Sequence, residues 1–172
     1  MDSDPETLPR ISIVIPSFNQ GRCLRQCIDS VLGESYPALE LVIMDGGSTD
    51  QSLDIIRQYS PHLTYWQSHA DGGQAAAIND GVRRCSGDIV AWLNSDDYYL
   101  PGALWTVARA FTAFPARGLY VGNGLRYREK SREFVPFGRR HLALNRDALT
   151  AGLDYILQPA TFFLRAAWQA VG

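Results

Sequence analysis

The sequence predicts an α/β protein with a mostly parallel central sheet, helices on both of its faces and a mixed or antiparallel C-terminal part. Three observations carry that prediction. Short, almost continuous runs of β-branched residues alternate with segments whose apolar positions recur every three or four residues. The connections between them are short. Glycine, asparagine and aspartate collect where the β-branched runs stop. Strands that alternate with helices through right-handed crossovers lie parallel and are buried on both faces.

A polar leader covers residues 1–10, and Ile11-Ser-Ile-Val-Ile15 then reads as a doubly buried strand that Pro16 is expected to end. Leu24, Cys27, Ile28, Val31 and Leu32 recur at helical spacing and place one apolar stripe on a helix that stops by Pro37. Residues 39–44, Leu-Glu-Leu-Val-Ile-Met, form a second strand, followed by the glycine-rich turn from Asp45 to Asp50. Ser48 with Gln51 three residues later has the capping-box spacing, so the next helix is expected from Ser48, with Leu53, Ile56 and Tyr59 inward. A weaker strand at residues 63–67 leads to the loop Ala70-Asp-Gly-Gly73 and a helix from Gln74 with Ala75, Ile78, Val82 and Cys85 as its apolar positions. Residues 88–93 form a fourth strand that delivers Asn94-Ser-Asp-Asp97 at its end. After Pro101, Leu104, Val107, Ala108 and Phe111 mark a helix that ends at Pro115. From Leu119 the rhythm changes: strands at 119–122, 125–128 and 132–135 surround a polar turn, with a short helix near 146–151 and a last strand near 160–164.

With 172 residues the chain fits one domain that buries about two-thirds of its extended surface. A hydrophobic share of 46% against 20% charged residues is that of a globular protein. A formal charge of −2 excludes a basic surface for nucleic acid. Cys23, Cys27 and Cys85 are odd in number and lack paired metal spacing, which favours structural thiols and a reduced, cytoplasmic setting. The acidic start has no signal-peptide character, and no apolar run reaches the roughly 18 residues of a spanning helix. A cytoplasmic location is expected, compatible with peripheral association at the inner face of the membrane.

The unusual polar residues lie in four loops at strand C-terminal ends, where ligands of parallel sheets bind. Asp96 and Asp97 are adjacent carboxylates that repel unless a cation or hydrogen-bond donors offset the charge. Magnesium and manganese, which bind through carboxylates, water and phosphates, suit them, and helix-capping aspartates are the alternative. Asp45 precedes two glycines that let a ligand approach the backbone, although taken alone it reads first as a turn residue, as does Asp71. Asn79 lies near the buried side of its helix, where its amide needs either a structural partner or a ligand.

Four segments together, Ile13-Val-Ile-Pro-Ser-Phe-Asn19, Asp45-Gly-Gly-Ser-Thr-Asp50, Asp71 through Asn79 running into Gly87-Asp-Ile, and Leu93-Asn-Ser-Asp-Asp97, closely resemble the family 2 glycosyltransferases over nearly the whole chain. The resemblance implies the Rossmann-like GT-A fold as one domain, 1–172, with residues 11–97 as the nucleotide-sugar half and 98–172 as the start of the acceptor half. It implies that Pro16, Ser17 and Asn19 lie along the nucleoside, that Asp45 recognises the base, and that Asp71, Gln74 and Asn79 lie near the nucleotide. Asn94, Ser95 and Asp96 occupy the Asp-x-Asp position, whose last acid ligates a Mn²⁺ or Mg²⁺ ion on the diphosphate, and Asp97 extends it. The first position departs from the pattern, being a neutral asparagine.

The implied reaction is inverting transfer of a sugar from a nucleoside-diphosphate sugar, UDP-linked in the first instance, to a saccharide or lipid-linked acceptor, with a carboxylate as general base. In similar proteins, Gln158 to Phe163 lead through a helix and a glycine like Gly172 to an acidic segment that supplies the base, so the base is expected beyond Gly172. Asp154, Asp147, Glu133 and His141 are the candidates within the chain. The alternative is a nucleotide-sugar-binding module without turnover.

Overall fold

Ile11–Ser17 (β1) is buried at every position because it is the middle of a sheet covered on both sides. It pairs in parallel with Leu39–Asp45 (β2) on one side. β2 pairs in parallel with Tyr65–Ser68 (β3), and β1 pairs in parallel with Ile89–Trp92 (β4) on its other side. Leu119–Val121 (β5) and Thr161–Leu164 (β8) complete the order β3-β2-β1-β4-β8-β5, with β8 antiparallel to β4. Gly124–Arg128 (β6) and Glu133–Phe137 (β7) form a separate antiparallel hairpin. The structure, a computed structural model, describes residues 8–137 and 156–171. The short helix expected near 146–151 lies outside the described residues.

The period-two alternation of β1 sorts the core into two layers. Ile11, Ile13 and Ile15 face Gly21–Leu32 (α1), Ser52–Tyr59 (α2) and Ala103–Ala113 (α4), packing with Leu24, Ile28, Ile56 and Leu104. Val14 faces the other way with Val42, Met44 and Val90 and is covered by Gln74–Arg83 (α3) through Ala77, Ile78 and Val82. The approach of α3 is close: a β-carbon on Gly81 would lie 2.4 Å from Val14 Cγ1. Arg165–Val171 (α5) follows β8, and Trp92, Phe163 and Trp168 form an aromatic cluster with ring centroids 5.2–5.8 Å apart.

Several local expectations change. β1 runs through Pro16 to Ser17. Val14 accepts from Leu93 on the β4 side, so alternation turns the Pro16 nitrogen toward that side, beyond the last β1–β4 pair, Val14–Trp92. No ladder bond is lost there. Ser48 does not open α2. Asp50 does, accepting from Ser52 N–H at 2.9 Å, and it also accepts from Gly21 N–H of α1 at 2.9 Å, so one carboxylate serves both helix starts. Ile55, rather than Leu53, is the fully buried partner of Ile56, and Ala75 is exposed on α3.

The chain divides into two compact units, Met1–Tyr120 with Phe162–Gly172, and Val121–Thr161. In the larger unit α4 packs Leu104, Val107 and Ala108 into the same core as β1. In the smaller unit the hairpin sets Tyr127 against Phe134 at 5.0 Å, both about half exposed. Among the described residues no helix is long and apolar enough to cross a membrane.

Candidate functional site

The strand register brings the loops level. Ser17 pairs with Asp45, and Asp45 with Ser68, so three parallel strands stop on one line, while β4 hands over to Leu93 and Asn94 beside β1. The loops that leave this edge enclose a cleft of about 580 Å³. Pro16, Ser17, Phe18 and Gln20 come from the first loop and Gly46 from the second. Ala70, Asp71, Gly73, Gln74 and Ala77 come from the third loop and α3, and Asn94, Ser95 and Asp96 from the fourth.

Two expected site residues build the loops and do not line the cleft. Asp45 is fully buried. Its Oδ2 accepts from Gly47 N–H at 3.2 Å, Ser48 N–H at 2.9 Å and Ser68 Oγ at 2.6 Å, and its Oδ1 from Ser48 Oγ at 2.5 Å. Four donors saturate a carboxylate that burial would otherwise penalise, and the bonds fold the turn that presents Gly46. Asn19 holds φ at 54°, a left-handed conformation asparagine tolerates, and clips the first loop to the second: its N–H donates to Ser48 Oγ at 2.8 Å while its Oδ1 accepts from Thr49 N–H at 2.9 Å.

The cleft wall at this end is Phe18, Gly46 and Asp71. Phe18 is 60% exposed, unusual for a large apolar side chain. A β-carbon at Gly46 would lie 3.3 Å from Asp71 Oδ2 and 3.4 Å from the Phe18 ring, so only glycine leaves this corner open. Asp71 Oδ1 accepts from Gly73 N–H at 2.7 Å, which aims the other oxygen toward Gly46. Ser17 Oγ is buried against the cleft and has no hydrogen-bond partner among the described residues. A buried hydroxyl without a partner is rare in a folded protein, so the end of β1 carries a polar group that the described fold leaves unsatisfied.

The opposite wall is the acid loop. Asp97 N–H donates to Asn94 carbonyl at 2.9 Å and closes a turn. From below, α1 holds the turn through the Cys27 thiol on the Asn94 carbonyl at 3.5 Å and through Ser30 Oγ, which accepts from Tyr99 N–H at 3.1 Å. Glu34 anchors the far end, accepting from Gly102 N–H at 2.8 Å and Leu104 N–H at 3.0 Å at the start of α4. Asp96 is exposed at the cleft and Asp97 is half-buried. Burial first, and then the neighbouring Asp96 charge, push the Asp97 carboxyl above the usual range, opposed by a hydrogen bond from the Asn94 side chain. Cys27 is likewise pushed up, by burial and by both aspartates, and stays a protonated donor.

Of the residues singled out in the sequence, Pro16, Ser17, Asp71, Gln74, Asn94, Ser95 and Asp96 meet at the cleft, while Asn19, Asp45, Asn79 and Asp97 do not line it. Asn79 is partly buried on α3. Phe18, within the same sequence segment as Pro16 and Ser17, also lines the cleft, and its signal in the sequence is the polar company of Ser17 and Asn19. Trp105 is a core residue, its indole N–H on Glu34 carbonyl at 3.0 Å. Among the base candidates only Glu133 is described, exposed on β7 opposite Arg128; Asp154, Asp147 and His141 lie outside the described residues.

Comparison with known proteins gives a consistent set. The sequence model described as Glycosyl transferase family 2 matches residues 12–168. An uncharacterised glycosyltransferase of Nostoc sp. is 36% identical over 105 residues, 59% of this chain and 33% of the relative. Glycosyltransferase GlyA of Streptococcus pneumoniae is 29% identical over 127 residues, 73% of this chain and 18% of the relative. Among solved structures, the mannosyltransferase PcManGT from Pyrobaculum calidifontis, in complex with GDP-Man and Mn²⁺, matches with a TM-score of 0.71 at 21% identity, covering 98% of this chain and 48% of that one. S. aureus TarS 1-349 in complex with UDP-GlcNAc matches with a TM-score of 0.68 at 18% identity, covering 94% and 47%. The chain thus spans a third or less of these curated relatives and about half of these solved chains.

Proposed function

The chain belongs to glycosyl transferase family 2, and on that premise we propose that its strand-end cleft holds a nucleoside-diphosphate sugar, UDP-linked in the first instance, for transfer of the sugar to an acceptor hydroxyl. The observation that carries the reading is the convergence of all four strand-end loops on one cleft. That cleft is lined by an exposed aromatic ring, Phe18, beside the Asp71 carboxylate, and by Asn94, Ser95 and the exposed Asp96 of the acid loop. Phe18 offers a flat face to a base, and Asp71 Oδ2 can accept an imide N–H such as that of uracil. The Gln74 and Asn94 amides at the cleft offer bonds to ribose or phosphate.

The donor set fits a divalent cation. No group of three or more His, Cys, Asp or Glu is placed to cage a metal among the described residues, but magnesium and manganese need only one or two carboxylates when phosphates and water supply the rest. Asp96, exposed at the cleft, would be the principal ligand and Asp97, next in the loop, the second; Asp97 is raised first by burial and then by the Asp96 charge, and a cation would relieve the second of these. When bound, such an ion offsets the charge that gathers on the departing diphosphate.

The chain's own residues then orient the donor so that its anomeric carbon meets an acceptor hydroxyl of a saccharide or lipid-linked acceptor, displaced once and with inversion, the acceptor proton passing to a carboxylate base. The test is Mn²⁺-dependent hydrolysis or transfer from a panel of UDP- and GDP-sugars. Turnover that falls at least tenfold in Asp96→Asn supports the reading. Binding without turnover would reduce the chain to a donor-binding module, and turnover indifferent to Asp96 would remove the acid loop from the site.

A further inference from the structure

Three polar side chains lie along one ridge of α1 and its C-terminal end. Cys27, Ser30 and Glu34 are spaced three and four residues apart, the first two within the helix and the third just past its last residue, Leu32. Each meets the backbone of the segment that carries the acids, and in the same order. The Cys27 thiol is on the Asn94 carbonyl at 3.5 Å, Ser30 Oγ accepts from Tyr99 N–H at 3.1 Å, and the Glu34 carboxylate accepts from Gly102 N–H at 2.8 Å and Leu104 N–H at 3.0 Å. The acid loop therefore runs along the helix as along a template.

Cys27 and Ser30 pin the two ends of one turn. Between the pins stand only Ser95, Asp96, Asp97 and Tyr98, and Asp97 N–H closes the turn onto the Asn94 carbonyl at 2.9 Å. Asp96, the acid that lines the cleft, lies inside that span. The Ser30 hydroxyl has one proton and gives it to the Cys27 carbonyl at 2.7 Å, which leaves a lone pair for Tyr99 N–H and joins the two pins within the helix. Its orientation is thereby fixed. The buried Tyr99 ring, stacked on Phe162 with centroids 5.7 Å apart, also holds the end of the turn.

We propose that Ser30 is a positioning residue for Asp96: through the backbone at Tyr99 it sets where the turn presents the Asp96 carboxylate, and so how tightly the cleft holds a nucleotide together with its metal ion. This rests on the reading of Asp96 as the principal metal ligand given above. Ser30 does not line the cleft and is not a catalytic residue; it acts through the loop. A hydroxyl that served only the stability of α1 would change the melting temperature and leave nucleotide affinity alone.

The test is calorimetry of the 172-residue chain with UDP and with GDP, each with and without Mn²⁺, beside thermal melting of the same samples. Ser30→Ala removes the acceptor of Tyr99 N–H and is expected to weaken Mn²⁺-dependent binding of the better nucleotide about 3- to 10-fold. Ser30→Thr keeps a hydroxyl that can bond the same helix carbonyl and is expected to bind like the parent. Ser30→Val has the shape of the threonine without the hydroxyl, so it is expected to repeat the loss. In the Asp96→Asn background Ser30→Ala is expected to add nothing, whereas a general loosening of the fold would add to that change. Parent-like affinity in both Ser30→Ala and Ser30→Val, or a loss just as large in the Asp96→Asn background, overturns the positioning role and leaves the metal reading standing. No binding of either nucleotide, or binding indifferent to Mn²⁺, overturns the metal reading and the positioning role with it.

Discussion

Ser17 and Asp45 end adjacent strands in register, yet their side chains stand in opposite conditions. Ser17 Oγ is buried with no partner among the described residues, whereas Asp45 is buried with four donors. Ser17→Ala removes an unsatisfied hydroxyl, so the melting temperature is expected to hold or rise. A drop in melting temperature would give the hydroxyl a structural partner. Asp45→Ala strands two backbone N–H groups and two hydroxyls, and is expected to cost roughly 2–4 kcal/mol in urea unfolding. That both residues mattered was legible in the sequence, since polar residues at the end of an apolar strand need a reason. That Asp45 faces its own loop was not, because this lies in the path of Gly46–Ser48 and in Ser68, 23 residues on.

At the scale of elements, what was legible follows from range. β1, α1, β2 and α4 follow from residues within each segment, through β-branched runs and apolar stripes. The start of α2 does not, because Asp50 is recruited by Gly21 of α1 as well as by Ser52. The opposite edge of the sheet shows the same dependence on distant partners. There the Glu40 carboxylate accepts from Ser12 Oγ at 2.6 Å, Ser86 N–H at 2.8 Å, the Ser86 hydroxyl and Gly87 N–H at 3.2 Å, joining β1, β2 and the approach to β4. Burial alone would raise its carboxyl, but these bonds together outweigh burial and hold it below the ordinary 4.5. A depressed carboxyl contributes stability that is complete above its unfolded value and is lost as pH falls through its folded one. Glu40→Gln is therefore expected to be less stable than the parent at neutral pH, with the gap closing below about pH 4.5 in denaturant titrations. A gap independent of pH would assign the loss to shape and not to charge.

For the molecule as a whole, the parallel order of β3, β2, β1 and β4 is what turns four separate sequence segments into one cleft, since every crossover returns its loop to the same edge. That much of the site was legible because strand ends and loop chemistry coincide in the sequence. The antiparallel return of β8 beside β4 and the division into two units were less so, because they depend on pairings between residues more than 70 positions apart. Family membership and the cleft support the proposed ligand, a sugar nucleotide with its diphosphate at Asp96. Calorimetry of the 172-residue chain with UDP and GDP, with and without Mn²⁺, tests this directly. Saturable one-site binding that requires Mn²⁺ and weakens at least tenfold in Asp96→Asn is the expected result, and nucleotide binding of equal strength in the parent and in Asp96→Asn would contradict it.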